Sequence, residues 1–116
     1  MSNREHVQAV IDGVLAGKIV ETFDQYYADD VVMIENGGEP RVGKAVNREY
    51  EQGFVDNVTF HGAEVGLVIV DGDNSAVEWT FDMTPKGGSR ITQKQVAVQT
   101  WRDGKVVREV FYFNAG

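Results

Sequence analysis

"VVMIENGGEPRVGK", running from Val31 to Lys44, decides how the rest of the chain is read. It opens as an apolar strand, Val31–Glu35, whose last residue is a carboxylate. A polar turn, Asn36-Gly37-Gly38-Glu39-Pro40, follows at once. Gly and Asn tolerate left-handed backbone and Pro presets its own φ, so the chain reverses here. A glutamate at the end of a core strand has two readings. It is a solvated strand-end charge, or it is delivered into a cavity.

Upstream of this segment the periodicity is helical. Ser2 and Glu5 have the S-x-x-E spacing of a capping box. Val7, Val10, Ile11, Val14 and Leu15 then recur at i, i+3, i+4, i+7 and i+8, with Gly17 as the stop. A second short helix carries Ile19, Val20, Phe23, Tyr26 and Tyr27 on one stripe, and "ADD" releases the chain into the strand. Downstream, Lys44–Phe54 reads as a third helix with Val46, Tyr50 and Phe54 on one side. From Val58 onward the period becomes two. Strands are expected at Val58–Val70, Ser75–Thr84, Arg90–Arg102 and Lys105–Phe113, separated by "DGDN", "PKGG" and "DG". Helices first and a meander after predict an α+β fold, three N-terminal helices packed on a curved, mostly antiparallel sheet. The 116 residues are expected to form a single domain.

The last hairpin admits two registers. Asp103-Gly104 is either a two-residue turn pairing Arg102 with Lys105, or the end of a three-residue loop. The three-residue loop sets Ala97 opposite Glu109 and Gln95 opposite Phe111. The two-residue turn sets Gln99 beside Arg108. A slip by one residue moves every side chain of a strand to the other face. Neither register yields one apolar and one polar face, a pattern expected of a sheet covered on both sides, by helices and by a second subunit.

Composition narrows the function. A net charge of −7 disfavours a sequence-independent hold on nucleic acid and an anionic membrane surface. There is no cysteine, and two histidines, His6 and His61, without metal-ligand spacing. No metal and no cofactor is expected. No signal-peptide or membrane-span pattern occurs, so a cytoplasmic protein is expected.

Taken together, "YADD", "GGEPRVGKAVNREY" and the closing "WRDGKVVREVFYF" resemble the nuclear transport factor 2-like superfamily, in its ketosteroid isomerase-like and SnoaL-like branch, over nearly the whole chain. The resemblance implies a cone of helices over a curved sheet, an apolar pocket for a small apolar molecule, and a homodimer through the convex face. It also implies where chemistry sits. Ketosteroid isomerases use a carboxylate base and an oxyanion hole of a tyrosine and a protonated aspartic acid. The base position falls on Glu35, with Ile34 or Asn36 as the alternative because the loop is one residue shorter. The tyrosine position falls on Val14 and the aspartic acid position on Ala97, and neither can donate. Oxyanion donors supply much of such catalysis, so steroid isomerisation is not expected.

The candidates are therefore Glu35 as acid or base, with Tyr27, Tyr50, Trp79, Phe81, Gln95, Gln99, Glu109, Phe111 and Phe113 around a ligand. Each has a plain structural reading: a solvated Glu35, cross-strand pairing for the glutamines, a surface ion pair for Glu109, and ordinary core for the aromatics. His61 reads as a lone exposed or satisfied histidine. The function expected is an isomerase- or cyclase-like enzyme acting on a small apolar carbonyl compound. The alternative is a non-catalytic ligand-binding or dimeric interaction module.

Overall fold

The computed structural model describes residues 2–114. Helix α1, Asn3–Leu15, starts at the expected capping box: Glu5 N donates to Ser2 Oγ at 3.2 Å and Ser2 N to Glu5 Oε1 at 3.0 Å. It buries Val7, Val10 and Ile11 and ends where Gly17 turns left-handed, at φ 78°. Helix α2, Ile19–Tyr26, buries Val20 and Phe23. Strand β1, Tyr27–Glu35, begins four residues before the expected Val31. Tyr27 is thus extended, not helical, because it pairs with Val106 and is buried on the sheet.

A two-residue strand, β2 (Arg41–Val42), folds back on β1 and was not anticipated. Helix α3, Lys44–Asn57, follows it, so two helices precede the first strand and the third comes after it. The expected stripe on α3 is corrected: Val46 and Tyr50 are 51% and 45% exposed. Asn47 is fully buried instead. Its Nδ2 donates to the carbonyls of Arg41 and Gly43, and its Oδ1 accepts from Arg41 Nε. These bonds satisfy the amide and permit its burial.

Four long strands complete the sheet: β3 Val58–Asp71, β4 Asn74–Pro85, β5 Ile91–Arg102 and β6 Lys105–Phe113. The order is β2-β1-β6-β5-β4-β3, antiparallel throughout except that β1 runs parallel to β6. This is an α+β architecture of three helices and a six-stranded, mostly antiparallel sheet. Val7, Val10 and Phe23 from the helices meet Val77, Ala97 and Val106 from the sheet in one core cluster. No helix is long and apolar enough to cross a membrane among the described residues.

Two turns set the register around the future site. In the opening segment, Asn36 and Gly37 both have positive φ, 49° and 69°, and Gly38 N donates to Glu35 O. The turn is tied to β6: Asn36 N donates to Phe111 O, and Phe113 N donates to Asn36 Oδ1. In the last hairpin Asp103 and Gly104 are both left-handed, and Arg102 pairs with Lys105. The turn is thus the two-residue one. A bulge then intervenes: Trp101 pairs with Val106 but Thr100 with Arg108, leaving Val107 as the extra residue. Beyond it Gln99 faces Glu109, Ala97 faces Phe111 and Gln95 faces Phe113. Neither expected set of pairs holds, although Gln99 and Glu109 do share a face as the three-residue register had it.

Candidate functional site

Between the helix-covered side of the sheet and the three helices lies a half-open cavity of about 240 Å³. That is just below the roughly 300–1,000 Å³ usual for a ligand site, so only a small occupant fits. Val10 and Val14 come from α1, Ile19, Thr22 and Phe23 from α2, and Glu51, Phe54 and Tyr50 from α3. The sheet supplies Tyr27 and Glu35 from β1, Trp79, Phe81 and Met83 from β4, and Gln93, Gln95 and Gln99 from β5. Strand β6 closes it with Glu109, Phe111 and Phe113. All of the side chains nominated from sequence therefore line one cavity, although they differ sharply in burial and bonding.

Glu35 sits at the mouth. Its side chain is 31% exposed, Tyr50 Oη donates to its Oε2 at 3.0 Å, and Arg41 Nη2 lies 3.5 Å from its Oε1. The Arg41 guanidinium also stacks on the Tyr50 ring, 3.7 Å from its centroid. The Tyr50 hydroxyl is held above its ordinary pKa, by partial burial first and the neighbouring Glu35 charge second. His61 is exposed, lies outside the cavity and bonds to Thr84 Oγ1.

Glu109 is the deep carboxylate, 2% exposed. Tyr27 Oη donates to its Oε1 at 2.5 Å and Gln99 Nε2 to its Oε2 at 2.8 Å. The chain of donors continues behind Gln99: Ser75 Oγ donates to Gln99 Oε1 at 2.6 Å, and Trp101 Nε1 donates to Ser75 Oγ at 2.9 Å. Indole nitrogen is a donor only, so Trp101 sets the polarity of the chain. Ser75 therefore donates its hydroxyl hydrogen bond to the Gln99 carbonyl, and the Gln99 amide nitrogen is left to donate to Glu109. Both carboxylate oxygens thus face donors. Burial nevertheless dominates and pushes Glu109 up to about 7, against the opposing pull of Tyr27 and Gln99. Burial, reinforced by the Glu109 charge, likewise holds the Tyr27 phenol well above its usual range.

Glu51 was not nominated from the sequence. It projects from α3 into the cavity, and burial first, then the Glu109 charge, raises it to about 7, with Arg41 pulling the other way. Apolar periodicity does not single it out. The signal available was its place four residues after Asn47 and three before Phe54, one face of α3. Gln93 was also missed; it sits two residues before Gln95 and shares its face. Val14 lines the cavity and Ala97 is buried against Val77 and Phe111, so no donor occupies either position. Among the described residues no group of three or more His, Asp or Glu is arranged to hold a metal.

Residues 7–109 match the family described as the SnoaL-like domain. A proposed SnoaL-like polyketide cyclase from Mesorhizobium loti is 30% identical; the alignment covers 97% of this chain and 99% of that one, with a TM-score of 0.87. A Mycobacterium tuberculosis protein described as an LEH-like epoxide hydrolase is 21% identical over 95% of this chain and 80% of that one, at 0.78. A Catenulispora acidiphila protein with a ketosteroid isomerase-like fold, crystallised with trimethylamine, is 12% identical over 91% and 85%, at 0.77. The last two likenesses establish shared fold alone. No curated protein matches the chain.

Proposed function

The chain belongs to the SnoaL-like domain family, and from that premise we propose a proton-transfer enzyme, isomerase- or cyclase-like, acting on a small, largely apolar carbonyl compound. One observation carries this reading: a buried carboxylate on a cavity wall, Glu109, fixed at both oxygens and raised to about 7. A base so placed is matched to proton abstraction near neutral pH. Glu35, the strand-end carboxylate, is the second acid or base and acts at the mouth, where Tyr50 and Arg41 hold it. The side-chain amides of Gln93 and Gln95 face the same cavity and make no hydrogen bond among the described residues. They are the donors available to a carbonyl oxygen, in place of the pair absent at Val14 and Ala97. The proposed cyclase and the epoxide hydrolase among the neighbours are compatible with acid–base chemistry in this fold, and the trimethylamine complex with a small occupant.

The test is deuterium exchange. Small ketones incubated with the protein in D₂O should exchange their α-hydrogens faster than in buffer, as read by proton NMR. Glu109→Gln should lower that rate by about 10²–10⁴, the usual contribution of a general base. Exchange that survives in Glu109→Gln would remove Glu109 from the role. A second reading is favoured by the engagement of both Glu109 oxygens by the protein itself: a ligand-binding module without chemistry. Saturable binding of a ketone with no exchange would select it.

We also propose a homodimer through the face of the sheet opposite the helices. Ile69, Ala76, Val98, Val110 and Ile34 are consecutive partners across five strands. Alternation puts them on the side away from Gln99 and Glu109. Leu67 and Tyr112, 60% and 53% exposed, add large apolar surface on the sheet.

A further inference from the structure

We propose that the compound this cavity takes, the carbonyl substrate included, carries an alkylammonium group whose apolar shell meets the aromatic walls and whose charge faces Glu51 and Glu109. The inference rests on the cavity being the ligand site, not on proton transfer taking place in it.

The lining is lopsided in charge. Three glutamates, Glu35, Glu51 and Glu109, reach it, and no lysine, arginine or histidine does. Arg41 is the nearest cation that Glu51 feels, and it is committed outside to Glu35, to Asn47 and to the Tyr50 ring. Glu51 is half-buried and lines the cavity, and among the described residues it accepts no hydrogen bond and forms no ion pair. A carboxylate withdrawn from water without a partner is costly and is relieved by a proton or by a cation.

The other walls favour the same class of ligand. Eight aromatic side chains line the cavity, drawn from both α2 and α3 and from β1, β4 and β6. Trp79 and Phe81 stack on each other, ring centroids 5.2 Å apart, so one forms a broad π-surface with the other behind or beside it. Ring faces attract cations most strongly when both are withdrawn from water, and methylated ammonium ions are the ligands that exploit this. A neutral alkane of the same shape would gain the burial but not the charge. An anion would meet three carboxylates. The remaining polar side chains, Thr22, Gln93, Gln95 and Gln99, are uncharged. The net charge of −7 favours the approach of a cation over an anion.

Protons compete with such a ligand. The titratable groups facing the occupant are Glu51 on α3, Glu109 on β6, Tyr27 and Glu35 on β1 and Tyr50 on α3, with Arg41 behind; β4 and β5 contribute none, nor do α1 and α2. Affinity for a cation should therefore rise as pH increases through about 7 and flatten once both deep carboxylates are ionised. Binding near pH 6.5 should release protons.

The test uses three probes of one shape: choline, its neutral analogue with carbon in place of the ammonium nitrogen, and tert-butylacetate. Titration calorimetry and the NMR signal of the Trp79 indole report on binding. Choline should bind at least ten-fold more tightly than the neutral analogue, and tert-butylacetate more weakly than either. Glu51→Gln, which breaks no internal bond, should cut choline affinity about ten-fold and leave the neutral analogue unchanged. Equal affinity for choline and the neutral analogue would overturn the inference while leaving the pocket reading intact. Binding of none of the three, in a protein shown to be folded, would overturn both.

Discussion

Replacing Glu109 with glutamine keeps the shape of the side chain and removes its ionisation, so it mimics the protonated acid. Folding moves this carboxyl from 4.5 to about 7. At about 1.4 kcal/mol per tenfold change in proton affinity, its ionisation destabilises the folded protein by about 3 kcal/mol. The sign follows from linkage. Between pH 4.5 and about 7 the folded state holds a proton that the unfolded state has released, so stability falls as pH rises through that window. Below 4.5 both states are protonated and the penalty is absent. Above about 7 it is complete. Glu109→Gln should therefore match the wild type within about 1 kcal/mol at pH 4.5, the cost of rearranging one hydrogen bond with Tyr27 or Gln99. At pH 8 it should be the more stable by about 3 kcal/mol, a large share of the roughly 5–15 kcal/mol typical of a protein's stability. Relief of Glu51, whose ionisation Glu109 opposes, adds to the difference with the same sign. Urea unfolding of both proteins at the two pH values, followed by the fluorescence of Trp79 and Trp101, measures it. Comparing variant with wild type cancels the titration of every group the substitution leaves alone. A difference in stability that is the same at pH 4.5 and pH 8 would refute the reasoning, because Glu109 would not be titrating within the window.

Asn47→Ala removes two donated bonds, to the Arg41 and Gly43 carbonyls, and one accepted bond, from Arg41 Nε, at a fully buried position; thermal unfolding should show a loss of about 2–4 kcal/mol, and a loss below about 1 kcal/mol would mean that water replaces the amide. The proposed dimer should sediment at twice 12.9 kDa, and Val98→Glu, in the middle of the outward apolar row, should return it to monomer; a wild type that sediments as monomer at micromolar concentration would rule the interface out.

Much of the fold was legible because its punctuation is chemical. Gly72-Asp73, the Gly87-Gly88 pair and Asp103-Gly104 all fall between the long strands, and the strand ends lie within a residue of the expected ones. Tyr27 was misread because the helical stripe continues through it. A tyrosine fits either period, and only its pairing with Val106 decides. The α3 face was misread for a different reason. Periodicity detects burial through apolarity, whereas Asn47 is buried through three hydrogen bonds with partners around the β2 turn. Once the helix is rotated to put Asn47 inward, Glu51 follows it into the cavity. The error at Asn47 and the omission of Glu51 are therefore a single error.

The bulge at Val107 decides which carboxylate lies deepest. Without it, the two-residue turn would set Arg108 beside Gln99 and turn Glu109 away from the helices. The extra residue shifts the rest of β6 by one position and brings Glu109, Phe111 and Phe113 to the cavity-lining face together. The Trp101–Ser75–Gln99 chain can reach Glu109 only in that register. A bulge has no compositional signature in "RDGKVVREV", where either valine could be the extra residue. The segment from Val31 to Lys44 behaves in the opposite way. Its turn is written plainly in Asn36 and Gly37, it pins β1 to β6, and it sets Glu35 at the mouth with Tyr50 and Arg41. The part of the sequence that identifies the fold and the part that supplies the buried carboxylate are therefore different. A fold can keep its marker while its chemistry shifts to another strand of the same cavity.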